Sequence, residues 1–165
     1  MGLFGPPNVE RLDRRGDLEG LLRAASYKKD ESVRRAAAVA LADMTDLLIT
    51  HLQSFNLRHV RLARAGLLAA GQPAIAAMMF VITDHQSLHR RQDVTFVLGE
   101  AGAAAAVDVL IGELRDPDAL LRALAADALG KIGDLRSAMA LRSALRDPEE
   151  PVRKAVQKAL EQVGG

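Results

Sequence analysis

The 165-residue sequence contains no cysteine and no tryptophan. Without cysteine there can be no disulfide bond, no thiolate metal site and no cysteine nucleophile. Aromatic residues make up only 3% of the chain, although hydrophobic residues as a whole reach 49%. A sizeable core must therefore be built from Ala, Leu, Val and Ile. Ala and Leu are strong helix formers, so this composition predicts an all-α protein.

Neither sign of charge is in excess, because 22 Lys and Arg face 21 Asp and Glu. This balance gives no global attraction to nucleic acid or to an anionic membrane, so nucleic-acid binding is not favoured. The longest apolar run, Ala74 to Thr83, is about half of a membrane span. The first residues lack the basic start and long apolar stretch of a signal peptide. We expect a cytoplasmic protein that does not contact membranes.

The sequence also lacks recognisable catalytic motifs, such as a Gly-rich phosphate loop, a nucleophile elbow or paired catalytic carboxylates. His85, His89 and Asp93 are spaced as metal ligands on one face of an unbroken helix would be. A break near Asp84-His85 interrupts that helix, so a solvated pair of histidines is favoured. We predict no catalytic residue, no metal site and no cofactor.

What the chain does contain is a repeat, written most clearly between Asp116 and Asp134. This stretch opens with Asp-Pro, closes with Gly-Asp, and places apolar residues at helical period between them. Five copies can be aligned on their second helices. The first aligned column is Val33, Val60, Arg90, Leu121 and Val152; the leucine column is Leu41, Leu68, Leu98, Leu129 and Leu160; the arginine column is Arg34, Arg61, Arg91, Arg122 and Arg153.

This alignment predicts one repeat domain over residues 1–165. An N-terminal arm and cap would occupy residues 1–16, and five helical hairpins would follow over 17–45, 46–71, 73–102, 103–133 and 134–164. Each hairpin can bury its apolar stripe only against its neighbours, so stability would be a sum of interfaces between adjacent repeats. The atypical first 16 residues are expected to cover the end of the array.

The recurring Asp-Pro, Val-Arg, Ala-Leu-Gly and Ile-Gly-Asp elements resemble the short HEAT-like repeat of the phycobiliprotein-lyase type. The resemblance covers roughly residues 14 to 164 and implies a right-handed α-solenoid whose second helices line the concave side. The same fold serves lyase subunits, scaffolds, a hydroxylase and DNA repair enzymes, so it does not define a function. The hydroxylase relatives use repeated His-Glu dipeptides as iron ligands, and this sequence has none.

The arginine column has two interpretations. It could form a basic strip for phosphates, or a structural arginine ladder in which each guanidinium binds loop aspartates or carbonyl groups of adjacent repeats. Loop carboxylates stand at suitable places in several repeats, and planar Arg–carboxylate pairs are specific. We favour the structural arginine ladder, formed by Arg34, Arg61, Arg91, Arg122 and Arg153.

The predicted concave face follows from helix periodicity, which selects the side chains opposite the buried stripe. Early repeats place apolar residues there and later repeats place charged ones, a combination typical of partner-binding surfaces. These apolar residues could equally help to pack the helix layer. The third repeat also departs from the others at Arg90, which replaces the expected Val, and at Asp93, where a small residue is usual. The predicted partner-binding residues are Arg35, Val39, Leu62, Arg90, Gln92, Asp93, Phe96 and Asp127.

These observations favour a scaffold or adaptor that binds another protein, as a helix or an extended segment, along the concave face. An accessory subunit of a bilin-lyase-like enzyme is the main alternative. A nucleic-acid-binding solenoid is a weaker one, supported by the 11 Lys and Arg against 8 acidic residues within residues 1–64.

Overall fold

The computed structural model describes residues 6–84 and 87–164, and these residues form helices and connecting turns with no strand. The α-helices are α1 (Val9–Arg14), α2 (Leu18–Ala25), α3 (Glu31–Asp43), α4 (Thr45–His51), α5 (Leu57–Ala70), α6 (Gln72–Thr83), α7 (Leu88–Glu100), α8 (Val107–Glu113), α9 (Ala119–Ile132), α10 (Ala138–Ala144) and α11 (Glu150–Gly164). Turns of 3-10 helix at Ala104–Ala106 and Leu135–Ser137 lead into α8 and α10.

This succession of short helices confirms the predicted all-α solenoid. Four pairs of helices that follow each other in the chain pack together as the hairpins predict, namely α2 with α3, α4 with α5, α8 with α9 and α10 with α11. Residues 1–5 of the predicted arm and His85, a member of the histidine pair, lie outside the described residues. No single helix in the described ranges is long and apolar enough to span a membrane, and only α5 and α6 taken together pass that test.

The chain forms two compact units, Met1–Ala74 and Ile75–Gly165, each with its own apolar core. In the first unit the largest fully buried side chains are Leu21, Leu41, Leu48, Ile49 and Leu67. In the second unit they are Met78, Ile82, Leu98, Leu110, Leu121, Leu129 and Leu141. Aliphatic side chains thus build both cores, as the near-absence of aromatic residues requires. That residues 1–165 act as one repeat domain stays a prediction.

Short polar residues fix where the helices begin. Their side chains accept hydrogen bonds from backbone N–H groups of the first turn, which have no partner within the helix. These capping residues are Asp17, Asp30, Asn56, Ser87 and Asp118. Glycines with positive φ, which other residues rarely adopt, follow several helix ends, with φ of 69° at Gly71 and 59° at Gly102. Both helix ends were predicted from these glycines.

The predicted register of the second repeat is wrong by one residue. The long second helices begin at Glu31, Leu57, Leu88, Ala119 and Glu150, at spacings of 26, 31, 31 and 31 residues. Counted from these starts, Leu67 and not Leu68 belongs to the leucine column. Leu67 is 1% exposed and Leu68 39% exposed, which agrees with the corrected count. Two adjacent leucines made the two registers equally plausible from sequence.

Glycines bring the second helices of the second unit into close contact. A Cβ atom built on Gly99 in α7 would lie 2.7 Å from Cα of Ala128 in α9. A Cβ atom on Gly130 in α9 would likewise lie 2.7 Å from Cα of Ala159 in α11. Since real Cβ atoms do not approach carbon atoms this closely, the spacing of α7, α9 and α11 depends on glycine at these two places.

Candidate partner-binding surface

Arg91 in α7 joins its repeat to the next one through two carboxylates. Its Nη2 atom donates hydrogen bonds to both oxygens of Glu113, at 2.8 and 2.7 Å, and to Oδ2 of Asp116 at 2.6 Å. All three side chains are almost completely buried. Burial by itself lowers the pKa of Arg91, but the bonds to the two carboxylates outweigh it and raise that pKa. Asp116 belongs to a loop, as predicted, whereas Glu113 lies in a helix and was missed.

Arg122 in α9 makes the equivalent connection one repeat later. Its Nε and Nη2 atoms donate to the two carboxylate oxygens of Asp147, at 2.7 and 2.9 Å. Its Nη1 atom donates to the carbonyl oxygens of Asp116 and Pro117, at 2.8 and 3.1 Å. One guanidinium therefore holds its own loop and the loop of the following repeat.

The other members of the predicted arginine ladder differ from this pattern. Arg34 and Arg153 donate to carbonyl oxygens of the loop within their own repeat, Tyr27 for the former and Asp147 for the latter, at 3.0 and 2.6 Å. Arg61 is exposed and lies one residue beyond the ladder position, where Val60 stands instead. Its inclusion in the ladder was wrong, for the same reason as that of Leu68 in the leucine column.

In the second unit, Gln92 and Asp127, two of the predicted partner-binding residues, already bind side chains of the next repeat. Gln92 donates to Oδ1 of Asp118 at 2.9 Å. Asp127 pairs with Lys131 at 2.6 Å and with Lys158, one repeat further on, at 2.9 Å. Burial raises the pKa of the Asp127 carboxyl, but the bonds from both lysines outweigh it, and the pKa is lowered.

Phe96 belongs to the same set of contacts. Its half-buried ring lies under Lys131, whose Nζ is 4.8 Å from the ring centroid, and that ammonium also pairs with Glu100 at 2.8 Å. In this cation–π contact the Lys131 ammonium covers one face of the Phe96 ring, which a partner would otherwise contact. Arg90 and Asp93 in the same helix are also half-buried. On this face of the second unit, the predicted residues are thus engaged in contacts within the protein.

The remaining predicted residues lie in the first unit, where only part of the prediction describes an open surface. Leu62 is half-buried, and the corrected register moves it off the predicted face. Arg35 is exposed and forms an ion pair with Glu31 one turn earlier in α3. Val39 is different, because its side chain is 62% exposed. It is the predicted apolar residue that the structure leaves open.

Val39 lies in a groove between α1 and α3. One stretch of this groove is a cavity of about 290 Å³ lined by Val9, Glu10, Asp13, Ala36, Val39, Ala40 and Asp43. A second stretch of about 340 Å³ shares Val9, Glu10 and Ala36 with the first and continues to Pro7, Asn8, Ser32 and Val33. The α3 residues Ala36, Val39 and Ala40 follow helical spacing, so they present one small, apolar wall. We call this cleft the α1–α3 groove.

The rim of the α1–α3 groove is acidic. Glu10 and Asp13 of α1 and Asp43 at the end of α3 line it. Glu10 is paired with Arg14, while no ion pair of Asp13 or Asp43 occurs among the described residues. Sequence reasoning missed Glu10 and Asp13, because it gave α1 only the role of covering the end of the array. Their spacing of three residues, on the same side of a short helix as Val9, was the available signal.

Comparison with known proteins identifies the repeat. Residues 75–161 match the family model described as HEAT repeats. No protein of curated function matches the sequence.

Solved structures share the fold at low sequence identity. Human deoxyhypusine hydroxylase in complex with glycerol is 19% identical, with a TM-score of 0.57, over 94% of this chain and 76% of the other. An engineered protein is also 19% identical, with a TM-score of 0.50, over 97% and 85% of the two chains. A designed armadillo repeat protein is 17% identical, with a TM-score of 0.47, over 96% and 87%. At these identities the likeness to the hydroxylase and to the engineered protein shows the fold alone.

Proposed function

The chain belongs to the HEAT-repeat family, and we propose that it is a cytoplasmic scaffold that binds a protein segment in the α1–α3 groove. The observation that carries this proposal is the exposure of Val39 in the middle of an apolar cleft with an acidic rim. Apolar surface at the centre and charge at the edge is how protein-binding surfaces are built. Repeat arrays bind partners in this way through side chains on one helix face.

The lining of the groove defines the chemistry of the partner. Small side chains on α3 leave space for aliphatic or aromatic side chains of an inserted segment. Glu10, Asp13 and Asp43 at the rim favour Lys or Arg beside these apolar residues, since complementary charge guides association and register. The expected ligand is an amphipathic helix or an extended segment, apolar on one side and basic on the other.

The second unit supports a different role for the other predicted residues. A partner that lay over Gln92, Phe96 and Asp127 would have to displace hydrogen bonds and ion pairs that join adjacent repeats. Replacing satisfied polar contacts costs binding free energy, whereas Val39 has an apolar side chain that makes no hydrogen bond. The proposal therefore places the main contact in the first unit.

The test is a selection of binding peptides from a random displayed library with the whole chain as bait. We expect the selected peptides to combine apolar and basic residues and to lose at least tenfold in affinity against Val39→Asp. The loss follows because a carboxylate would be buried against apolar groups. Asp43→Lys should weaken the same peptides, since it reverses one rim charge.

Met139→Asp is the matched control, because Met139 is likewise an exposed apolar side chain, in the second unit. It should leave peptide affinity unchanged. Selection of acidic peptides, or an equal loss in the Met139 and Val39 variants, would contradict the proposal. An accessory role in a bilin-lyase-like enzyme and binding of nucleic acid stay predictions from the sequence.

A further inference from the structure

A second cavity lies between α1 and α2 and is lined by arginines. It has a volume of about 360 Å³, and Arg11, Arg15 and Arg23 contribute its three charged side chains. Leu12 and Gly20 form part of its wall. No carboxylate occurs among the described residues that line it. We call it the arginine pocket.

Among the residues that the structure describes, the three guanidinium groups have no bonding partner. Within residues 6–84 and 87–164, the side chains of Arg11, Arg15 and Arg23 form no hydrogen bond or ion pair, and all three residues are exposed. Arg14, their neighbour in α1, behaves differently and pairs with Glu10. Three like charges that converge on one cavity repel each other, and an anion in the cavity would remove that repulsion.

Glycine creates part of the space in this pocket. A Cβ atom on Gly20 would lie 2.5 Å from Cδ2 of Leu12 and 2.5 Å from Oδ2 of Asp17. Any other residue at this place would require the side chains of Leu12 and Asp17 to shift. The Asp17 carboxylate lies beside this wall, and its Oδ1 accepts a hydrogen bond from the backbone N–H of Gly20 at 2.8 Å. Its charge is therefore engaged in capping α2, and the three arginines outnumber it.

From these contacts we infer that the arginine pocket binds the phosphate group of a small phosphomonoester or free phosphate. Guanidinium groups match phosphate oxygens in pairs of parallel hydrogen bonds, which makes arginine the usual residue for this group. A volume of about 360 Å³ is at the small end of ligand pockets, and it admits a phosphate with a small organic substituent.

The arrangement favours a single phosphate group over a nucleic acid. Binding of a phosphate backbone needs positive charge along a strip, because each phosphate must be neutralised in turn. Here the positive charge converges on one cavity, and the same helix α1 carries Glu10 and Asp13 on the rim of the α1–α3 groove. Those carboxylates would repel an extended polyanion. The inference is independent of the proposed scaffold function, since Arg11, Arg15 and Arg23 do not line that groove.

The test is isothermal titration calorimetry of the whole chain with inorganic phosphate and, separately, with O-phosphoserine, both at constant ionic strength. We expect saturable binding of at least one of them, and no binding of serine. Equal affinities would identify free phosphate as sufficient, and tighter binding of O-phosphoserine would identify a monoester. Arg11→Gln and Arg23→Gln should each weaken binding at least tenfold.

Arg142→Gln is the matched control, because Arg142 is also exposed, with no side-chain bond among the described residues, but lies in α10. It should bind as the original chain does. Absence of saturable binding, or an equal loss in the Arg142 and Arg11 variants, would overturn the inference. Tighter, strongly salt-dependent binding of a short single-stranded DNA than of either phosphate compound would also overturn it, in favour of a nucleic-acid surface.

Discussion

Arg122 and Asp147 lie 25 residues apart and form a two-bonded ion pair, with both guanidinium–carboxylate distances below 3.0 Å. The pair connects the loops of two adjacent repeats, and both side chains are largely buried. A buried ion pair of this kind adds little to the free energy of unfolding, but removal of one partner leaves an uncompensated charge in the interior. The second unit should therefore be sensitive to changes at either residue.

Arg122→Ala should lower the free energy of unfolding by about 3 kcal/mol, because the Asp147 carboxylate loses its partner in a buried place. Urea denaturation followed by circular dichroism measures this change. Arg61→Ala is the control from the same predicted column. Since Arg61 is exposed and outside the ladder, its replacement should change stability by less than about 0.5 kcal/mol. Equal losses in both variants would contradict the described ladder.

The same pair predicts a pH dependence. Hydrogen bonds from Arg122 lower the pKa of Asp147 in the folded chain below its ordinary value. This carboxylate therefore makes its full contribution to the free energy of unfolding above about pH 4, the ordinary pKa of Asp. The contribution is lost as the pH falls through the lowered pKa that Asp147 has in the folded chain. Asp147→Asn should be less stable than the original chain at pH 7, and the difference should shrink below about pH 4. A constant difference between pH 7 and 2, measured by urea denaturation, would contradict this prediction.

Gly99→Ala should destabilise the second unit by about 1–3 kcal/mol, because the added methyl group must displace α9 at Ala128. Gly112→Ala is the matched control, since Gly112 lies in helix α8 with nothing within 4 Å of an added Cβ. There the substitution should stabilise by about 0.4–1 kcal/mol, as alanine is the better helix former. Thermal unfolding of both variants tests the helix contact, and a Gly99→Ala chain as stable as the original would disprove it.

Two neighbouring leucines test the register of the second repeat. Leu67→Ala should cost about 2–5 kcal/mol, because Leu67 is fully buried. Leu68→Ala removes an exposed side chain and should cost less than about 1 kcal/mol. The two variants have the same composition and the same helix propensity, so only burial distinguishes them. If the Leu68 variant were the less stable one, the register predicted from sequence would be right after all.

Much of the fold could be predicted because each repeat shows the same residues at the same distances. Leu98 and Leu129, or Arg91 and Arg122, recur 31 residues apart, and this recurrence reflects equivalent packing in each repeat. The second repeat could not be placed in the same way. It is shorter than the others, and its adjacent leucines satisfy the alignment in either register, whereas burial selects one of them.

The candidate site was less predictable, because it depends on how separate helices meet. Helix periodicity alone identified Val39 as facing away from the core. The contribution of Glu10 to the same cleft depends on the packing of α1 against α3, which no local pattern records. For Asp127 and Lys158, the opposite charges one repeat apart were visible in the sequence. They indicated an internal ion pair as well as they indicated a surface for a partner.

The glycine contacts described above give α9 the same packing surfaces as its neighbours α7 and α11. Its Ala128 receives the backbone of α7 at Gly99, and its Gly130 offers the same open backbone to Ala159 of α11. The two sides of this helix–helix contact, an alanine and a glycine, are therefore both present in α9, two residues apart. A duplicated segment of residues 119–149, inserted in frame, would meet a matching surface on either side. Residues 119–149 thus form a repeat whose number of copies can change without the design of a new interface.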